Sequence, residues 1–458
     1  MAFYVLACKP AQHDRKCSSG TTTIHAIPLP RKCTFRDNVC MPTPTNITRT
    51  NCEALDAEDS LHACRERFDI PGQTIYLDGN SLGALPRLTA ARVDEVVREQ
   101  WGRTLIGAWN KRAWATLPTR VGGKLARLLG ASDDEVIVAD STSVNIFKLL
   151  AGALALKDVA TRRVILSERG NFPTDIYIAE GLNAMLGGKY TIKLVEPHEI
   201  EDALNADVAV ALISQVDYCT GHMHDMARLN ARAKKAGIRI VWDLSHSAGA
   251  IPLALTEHGA EFAVGCGYKY LNGGPGAPAY VYVAKALQAN FANPLSGWFG
   301  HRAPFAFEGS YTPAPGIERL LCGTPSVIAL SALECGIDTF DNTSMQALRK
   351  KSLALTDLFR ALVEQECGDF GFTCVTPIEP EQRGSHLSFA HEHAYAIMQA
   401  IIERGVIGDF RQPNLMRVGF TPLYVRFVDC WDAVSILREV MLSGAWKAEK
   451  YHQRNAVT

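Results

Sequence analysis

The stretch that decides the fold runs from residue 238 to residue 246 and reads Ile-Arg-Ile-Val-Trp-Asp-Leu-Ser-His. Its first five residues are apolar apart from Arg239, which is typical of a strand covered on both faces of a parallel sheet. Asp243 follows this strand at its carboxyl end, the edge at which open parallel sheets bind ligands. Taken alone, the carboxylate is equally typical of a structural hydrogen bond or helix cap and of a cofactor or metal contact.

Strands of the same kind lie on both sides of this stretch and alternate with helices. The strands are predicted at 135–139, 163–167, 190–195, 208–213, 238–242 and 279–283. The helices between them are predicted near 143–156, 174–186, 198–204 and 225–236, and earlier ones at 88–101 and 120–129. This alternation predicts an α/β fold built on a mostly parallel sheet that helices cover on both faces.

The last third of the chain has a different pattern. Helices are predicted from about 326, at 344–365, 394–404 and 428–442, with strands at 386–389 and 415–420. We therefore expect a large ligand-binding domain with its N-terminal segment over 51–325 and a smaller α+β domain over 326–458. The first 50 residues, rich in proline and basic side chains, are expected to form a disordered extension.

Composition narrows the class of protein. The 458 residues carry a formal net charge of −1, which gives no electrostatic signature of nucleic-acid binding. No apolar run approaches the length of a membrane span. The 13 cysteines form no closely spaced metal-ligand pair and are odd in number, so we expect no metal site, no disulfide framework and a reduced, cytoplasmic protein.

A lysine in a glycine-rich segment is the strongest chemical signal. Lys269 lies within 265–276, where five of the twelve residues are glycine. Such a lysine is either a surface residue in a turn or an amine in a pocket that small residues leave open to a ligand. Together with Asp243 it matches the needs of pyridoxal phosphate (PLP), whose aldehyde requires an amine and whose ring nitrogen requires a carboxylate.

A phosphate site is expected where a strand leads into a helix. Residues 140–145 (Asp-Ser-Thr-Ser-Val-Asn) follow one predicted strand and open the next helix, where backbone N–H groups favour an anion. The same transition occurs at 171–175, where Pro173 suits the first helical turn and Phe172 is either a core residue or a ring that stacks on the cofactor. Ordinary helix capping explains either loop equally well on its own.

At this point the sequence over residues 52–445 resembles the kynureninase family, PLP-dependent enzymes of fold type I. The matching segments are 76–83, 171–175, 243–250, 268–276, 296–301, 322–325 and 408–411. The segments YLDGNSLG at 76–83 and SGWFGH at 296–301 are the most specific, because desulfurase-like relatives share the others around Asp243 and Lys269.

The resemblance implies a role for each matched residue. Lys269 would form the Schiff base and move protons, Asp243 would pair with the ring nitrogen, and Tyr268 would bind phosphate and donate a proton. The remaining cofactor contacts would come from Thr142, Ser143, Phe172, Pro173, Thr174, Asp175, Ser214 and His246, and from Trp298 and Thr324 of the partner subunit in a homodimer. The substrate would contact Arg411, which would hold its α-carboxylate, and Asn80, Ser81 and His301.

The implied reaction is hydrolysis of L-kynurenine, and potentially of 3-hydroxykynurenine, to anthranilate or 3-hydroxyanthranilate and L-alanine in tryptophan degradation. The alternatives on the same fold are a cysteine desulfurase and an aminotransferase, and a desulfurase would need a mobile nucleophilic cysteine. A PLP-binding regulator would need a DNA-binding module that the sequence does not show. A nicotinamide-binding protein is disfavoured because no G-x-G-x-x-G follows the first strand.

Overall fold

The computed structural model describes residues 46–156, 159 and 161–454. Most of the predicted extension therefore lies outside the described residues, and Thr48 caps the helix that begins at Arg49. The longer helices are α1 (Arg49–Glu58), α2 (Thr89–Glu95), α3 (Leu117–Leu129), α4 (Thr142–Leu154), α5 (Pro173–Met185), α6 (Met226–Lys235), α7 (Val327–Asp338), α8 (Met345–Cys367), α9 (Ala394–Ile402) and α10 (Phe427–Ser443). The strands of the two larger sheets are β1 (Val136–Val138), β2 (Val164–Glu168), β3 (Thr191–Val195), β4 (Val208–Ser214), β5 (Arg239–Asp243), β6 (Phe262–Gly265), β7 (Tyr280–Val283), β8 (Thr373–Cys374), β9 (His386–Ala390), β10 (Asp409–Arg411) and β11 (Leu415–Gly419).

Within the described residues, seven strands form the main sheet in the order β3-β2-β4-β5-β6-β7-β1. Strand β7 is antiparallel to both of its neighbours, and all other pairs are parallel. The predicted mostly parallel sheet is confirmed. Strand β6 was missed, because its four residues run directly into the glycine-rich segment and resemble part of a loop.

Alternate side chains of β5 pack into opposite cores on the two faces of the main sheet. In β5, Ile240 and Trp242 join the core that contains helices α3 and α6, whereas Val241 joins the core that contains α4 and α5. The two-residue period of a strand places successive side chains on opposite faces. The near-continuous apolar strands of the sequence follow from burial on both faces.

The segments of greatest chemical interest follow the carboxyl ends of the parallel strands. Asp140 to Thr142 come after β1, Ser214 ends β4, Asp243 ends β5, and Tyr268 and Lys269 come after β6. Because β4, β5 and β6 are adjacent and parallel, their last residues lie along one edge of the sheet. The topology thus brings these segments to the edge where ligands bind.

In the described part of the C-terminal region, four strands form an antiparallel sheet in the order β8-β9-β11-β10. Helix α10 also contacts the N-terminal helix, since Asp56 accepts hydrogen bonds from the backbone N–H of Phe427 at 2.7 Å and of Val428 at 2.9 Å. The predicted domain boundaries at 51 and 326 remain predictions. None of the helices in the described ranges is long and apolar enough to cross a membrane.

Candidate active site

Lys269 lies next to a buried histidine. Its Nζ is 2.9 Å from Nε2 of His246. Burial, reinforced by the positive charge of Lys269 and Arg417, holds the pKa of His246 well below its usual range. The ring is therefore neutral, and it can accept a hydrogen bond from the lysine amine.

Two buried carboxyl groups lie in the same pocket. Oδ1 of Asp243 accepts a hydrogen bond from the backbone N–H of Ser245 at 2.8 Å, while burial raises the pKa of this group. Burial and the proximity of Asp243 raise the pKa of Asp175 well above its usual value. Like charges at this depth cannot both be ionised at low cost. We infer that Asp175 carries a proton and that Asp243 is the group available to a cationic ring nitrogen.

One cavity is lined by most of the predicted cofactor residues. The predicted residues along its wall are Thr142, Ser143, Phe172, Thr174, Asp175, Ser214, Asp243, His246, Tyr268 and Lys269. Pro173, also predicted, begins α5 between two of them. The structure brings these side chains together from five separate segments of the chain, and their individual roles remain predictions.

The Phe172 ring is held at this cavity by its neighbours. It packs edge-on against Tyr218 with ring centroids 5.2 Å apart, and Lys269 Nζ is 5.9 Å from its centroid. Oδ1 of Asn171 accepts hydrogen bonds from the backbone N–H of Phe172 and from the Ser214 hydroxyl, both at 2.7 Å. The loop before α5 is thereby tied to the end of β4, which fixes the ring beside the lysine.

The first turn of α4 supplies an anion site. Ser141 caps this helix, and its hydroxyl accepts a hydrogen bond from the backbone N–H of Val144 at 3.3 Å. The first N–H groups of a helix have no partner within the helix and attract anions. Thr142 and Tyr268 also line an adjoining cavity that reaches Cys322 and the exposed Thr324.

Trp298 and His301 are among the predicted residues that lie elsewhere in the single chain. The described residues that line the cofactor cavity include neither Trp298 nor His301. Trp298 packs against Phe299 and Phe305, with ring centroids 4.9 and 5.7 Å apart. His301 is buried, and its Nδ1 accepts a hydrogen bond from the backbone N–H of Ala303 at 3.0 Å. For Trp298 this placement is compatible with a contact made across a subunit interface.

Arg411 belongs to a charged cluster around Asp409. Its Nη2 is 2.5 Å from Oδ2 of Asp409 and 3.2 Å from the Ser81 hydroxyl, which itself donates to Asp409 at 2.7 Å. Arg417, 1% exposed, donates through Nε to Oδ1 of Asp409 at 2.8 Å and through Nη2 to Ser81 at 2.9 Å. Although burial opposes it, the Arg417 guanidinium holds the pKa of Asp409 below its usual value.

Sequence reasoning missed Asp409 and Arg417 as members of this cluster. The signal for Arg417 was a charged side chain inside the apolar strand predicted at 415–420, since a charge is rarely buried without a partner. Asp409 stood within a matched motif, but its partner Ser81 is 328 positions away in the sequence. Both residues orient Arg411, whose side chain is one-third exposed and whose Nε has no partner in the described structure.

Asn80 is fully buried rather than open to the cavity. Its amide packs against Gly419, where a Cβ atom would lie 1.7 Å from Oδ1. The predicted contact between Asn80 and substrate remains a prediction.

Asp78 lies two residues before Asn80. Burial and the nearby Asp409 raise the pKa of Asp78 to about 7.

The donor set fits PLP. A helix N-terminus suits its phosphate, an aromatic face its ring, a buried carboxylate its ring nitrogen and Lys269 its aldehyde. Oδ2 of Asp175 is buried without a partner in the described chain, as expected of a pocket whose contacts include a further polar group.

Solved structures show the same fold. The apo cysteine desulfurase from Thermococcus onnurineus NA1 matches with a TM-score of 0.71 and 16% identity over 83% of this chain and 98% of that one. A C-DES mutant with glycine covalently linked to its PLP cofactor matches with a TM-score of 0.73 and 15% identity over 82% and 99%. Fold and site together define a PLP-dependent enzyme of fold type I.

Similarity to curated sequence relatives identifies the family. The kynureninase of Burkholderia mallei (strain SAVP1) is 53% identical over 414 residues, which are 90% of this chain and 100% of the relative. The kynureninase of Pseudomonas fluorescens is 51% identical over the same shares. The kynureninase C-terminal domain model matches residues 348–437. The chain belongs to the kynureninase family, and the desulfurases share its fold at much lower identity.

Proposed function

We propose that the chain hydrolyses the Cβ–Cγ bond of L-kynurenine and releases anthranilate and L-alanine. The observation that carries the proposal is the contact of Lys269 with a neutral His246 beside Asp243, in a chain of the kynureninase family. The cofactor, when bound, acts as the electron sink for negative charge at the substrate α-carbon. All other steps depend on the side chains of the protein.

Lys269 is the proposed base for the substrate α-proton. Its Nζ is held by His246, and no acidic side chain forms an ion pair with it in the described structure. Asp243 keeps its negative charge when a cationic ring nitrogen lies beside it, because an opposite charge offsets the effect of burial on its pKa. Lys269 therefore transfers the proton in this proposal, and Asp243 stabilises the charge on the ring.

Tyr268 is the proposed acid. Burial raises the pKa of its hydroxyl above the ordinary value, so the group is protonated at neutral pH. Its position between the two cavities allows it to contact the phosphate and to donate a proton to a product carbon.

Arg411 is the proposed partner of the substrate α-carboxylate. A guanidinium can donate two parallel hydrogen bonds to a carboxylate. Asp409 and Ser81 hold one edge of Arg411 and leave its Nε free of partners in the described chain. The orientation set by this cluster lowers the entropy lost when substrate binds.

A homodimer completes the proposal. The resemblance assigns Trp298 and Thr324 to the site of the partner subunit, and His301 and Asn80 to substrate contacts. The placement of Trp298 away from its own cofactor cavity supports the assignment of Trp298, whereas Thr324 lines a cavity that Thr142 of the same chain also lines. We also propose a cytoplasmic role in tryptophan degradation, on the basis of the family and the thiol-rich sequence.

The test is an assay of the purified, PLP-loaded protein with L-kynurenine. We expect equal amounts of anthranilate and alanine, and no sulfide from cysteine in a parallel reaction. A Lys269→Ala variant should lose both the product and the absorption band of the protein-bound Schiff base. Sulfide from cysteine without anthranilate from kynurenine would favour the desulfurase alternative. 3-Hydroxykynurenine differs by one hydroxyl and is compared in the same assay.

A further inference from the structure

Lys148 has no role in the proposed chemistry and is buried beside residues 140–142, the loop that leads into α4 at the proposed phosphate site. Lys148, on α4, has no exposed side-chain surface. Its amine forms an ion pair with Asp140 and donates a hydrogen bond to the backbone carbonyl of Leu320 at 2.6 Å. Taking an ammonium group out of water is costly unless its hydrogen bonds are satisfied, so this arrangement indicates a specific task.

Asp140 is the first residue of the loop that leads into α4 at the proposed phosphate site. It has a left-handed backbone with φ of 51°, a conformation that is uncommon outside glycine, asparagine and aspartate. Its carbonyl accepts a hydrogen bond from the backbone N–H of Ala279 at 2.9 Å. The turn at Asp140 leads the chain into Ser141 and Thr142, which line the cavity at the start of α4.

Leu320 connects the same amine to the other side of the cavity. Residues 321–326 follow it directly and line the cavity that Asp140, Ser141 and Thr142 also line. A single ammonium group therefore links two backbone segments that are distant in sequence and that face one another across the cavity.

The Lys148 charge also balances a carboxylate beside an anion site. Without a partner, the Asp140 carboxylate would repel a phosphate bound at the first turn of α4. The ion pair with Lys148 removes most of that repulsion. Position and charge thus point to the same task.

We propose that Lys148 is a positioning residue for the cofactor phosphate, acting by holding Asp140 and Leu320 on opposite sides of the phosphate pocket. This inference rests on the PLP site and not on the identity of the substrate. Its readout is cofactor affinity, so it can fail while kynurenine hydrolysis is upheld, and the reverse.

The test compares PLP with pyridoxal, which lacks the phosphate. The full chain is freed of cofactor and titrated with each compound, and binding is followed by the Schiff-base absorption band. Lys148→Met should weaken PLP binding by about tenfold or more and change pyridoxal binding by less than about twofold. A parallel loss for both compounds, or an unchanged ratio of the two affinities, would overturn the proposal.

Lys351 offers a matched control. It is the other buried lysine in the described ranges, and it donates to the Pro422 carbonyl at 2.8 Å and pairs with Asp59 at 2.7 Å, among residues that do not line the two cavities. Lys351→Met removes a comparable buried pair and should leave the ratio of PLP to pyridoxal affinity unchanged. If it lowers that ratio as Lys148→Met does, the role of Lys148 is general stability and the proposal is wrong.

Asp140→Gly tests the same contact from its partly exposed side. Glycine accepts the left-handed backbone, so the variant removes the carboxylate without backbone strain. We expect a selective loss of PLP affinity because the turn loses its tie to Lys148, but a smaller loss than in Lys148→Met because the carboxylate that repels the phosphate is also gone. The double variant should lose no more than Lys148→Met alone. Should Lys148→Met fail to fold by circular dichroism, an unchanged affinity ratio in Asp140→Gly overturns the proposal.

Discussion

Asp243 and Asp175 show how burial and a neighbouring like charge act on two carboxyl groups in one pocket. Burial raises the pKa of both, but the proximity of Asp243 adds to the effect on Asp175. The single charge that remains is then available to the cofactor ring. This distinction depends on distance and depth, which explains why the sequence identified Asp243 by its place after a strand without indicating the state of Asp175.

Removal of the Asp243 charge should impair turnover more than cofactor binding. We expect Asp243→Asn to keep the Schiff-base absorption band while kcat for kynurenine falls by about a hundredfold or more, because a neutral amide stabilises the charged ring less well. Steady-state kinetics with a PLP-saturated enzyme measure this. Asp225→Asn, which replaces an N-cap on α6 by an equally good cap, is the control and should leave kcat unchanged. Equal kcat in the two variants would contradict the role of Asp243.

Asp78 should make stability depend on pH. Its pKa of about 7 in the folded chain lies above the ordinary value for aspartate, so the folded state binds the proton more tightly. The resulting stability is full below pH ~4 and is lost as pH rises through ~7. Asp78→Asn removes this dependence, and relative to the wild type it should gain at least about 1 kcal/mol of unfolding free energy between pH 5 and pH 8. Urea unfolding at both pH values tests this, and parallel curves for the two proteins would refute it.

At the scale of elements, helix α3 depends on a glycine at its contact with β1. A Cβ at Gly122 would lie 2.4 Å from the Val136 carbonyl oxygen, whereas one at Gly123 would lie 3.5 Å from its nearest neighbour, Asp133. Gly122→Ala should therefore destabilise the fold by about 2 kcal/mol or more, and Gly123→Ala should be neutral or stabilising by up to about 1 kcal/mol. Thermal unfolding of the pair gives the comparison. A larger loss in Gly123→Ala would show that the helix packs differently.

Helices and strands were predicted well where the apolar periodicity and a residue that ends the element, such as glycine, agree. Helix α3 ends at Gly130 as expected, since that residue takes a left-handed backbone with φ of 61°. The sequence did not predict strand β6 because four apolar residues before a glycine-rich loop carry no periodic signal. It also did not give the reversed direction of β7, which depends on the path of the glycine-rich loop rather than on the residues of the strand.

For the whole molecule, a shared site in a homodimer can be tested by complementation. If the partner supplies Trp298, a heterodimer of Lys269→Ala and Trp298→Ala chains contains one site with both native residues. We expect each variant alone to be nearly inactive and the co-expressed pair to recover part of the activity. No recovery in purified heterodimer would place both residues in the site of one chain. The sequence indicated Trp298 only by resemblance, because contacts between subunits leave no periodic pattern.

The spacing of residues in the sequence also did not show which distant segments of the chain come together in the site. The sequence pointed to Asp243 and the loops around Thr142 and Phe172 because each follows a predicted strand, and to Lys269 because it lies in a glycine-rich segment. It did not identify the cluster of Asp409, Arg417 and Ser81, which joins residues more than 300 positions apart in the chain. Such contacts are fixed by tertiary packing, which local sequence pattern does not encode.

Hydrolysis of the Cβ–Cγ bond of kynurenine is tested by following the oxygen atom of the water that is consumed. Kynurenine is turned over by the PLP-loaded chain in water enriched in heavy oxygen, and the products are examined by mass spectrometry. Hydrolysis of the Cβ–Cγ bond predicts one labelled oxygen in the carboxylate of anthranilate and none in alanine beyond that of a control without enzyme. Unlabelled anthranilate, or consumption of kynurenine without anthranilate, would contradict the account.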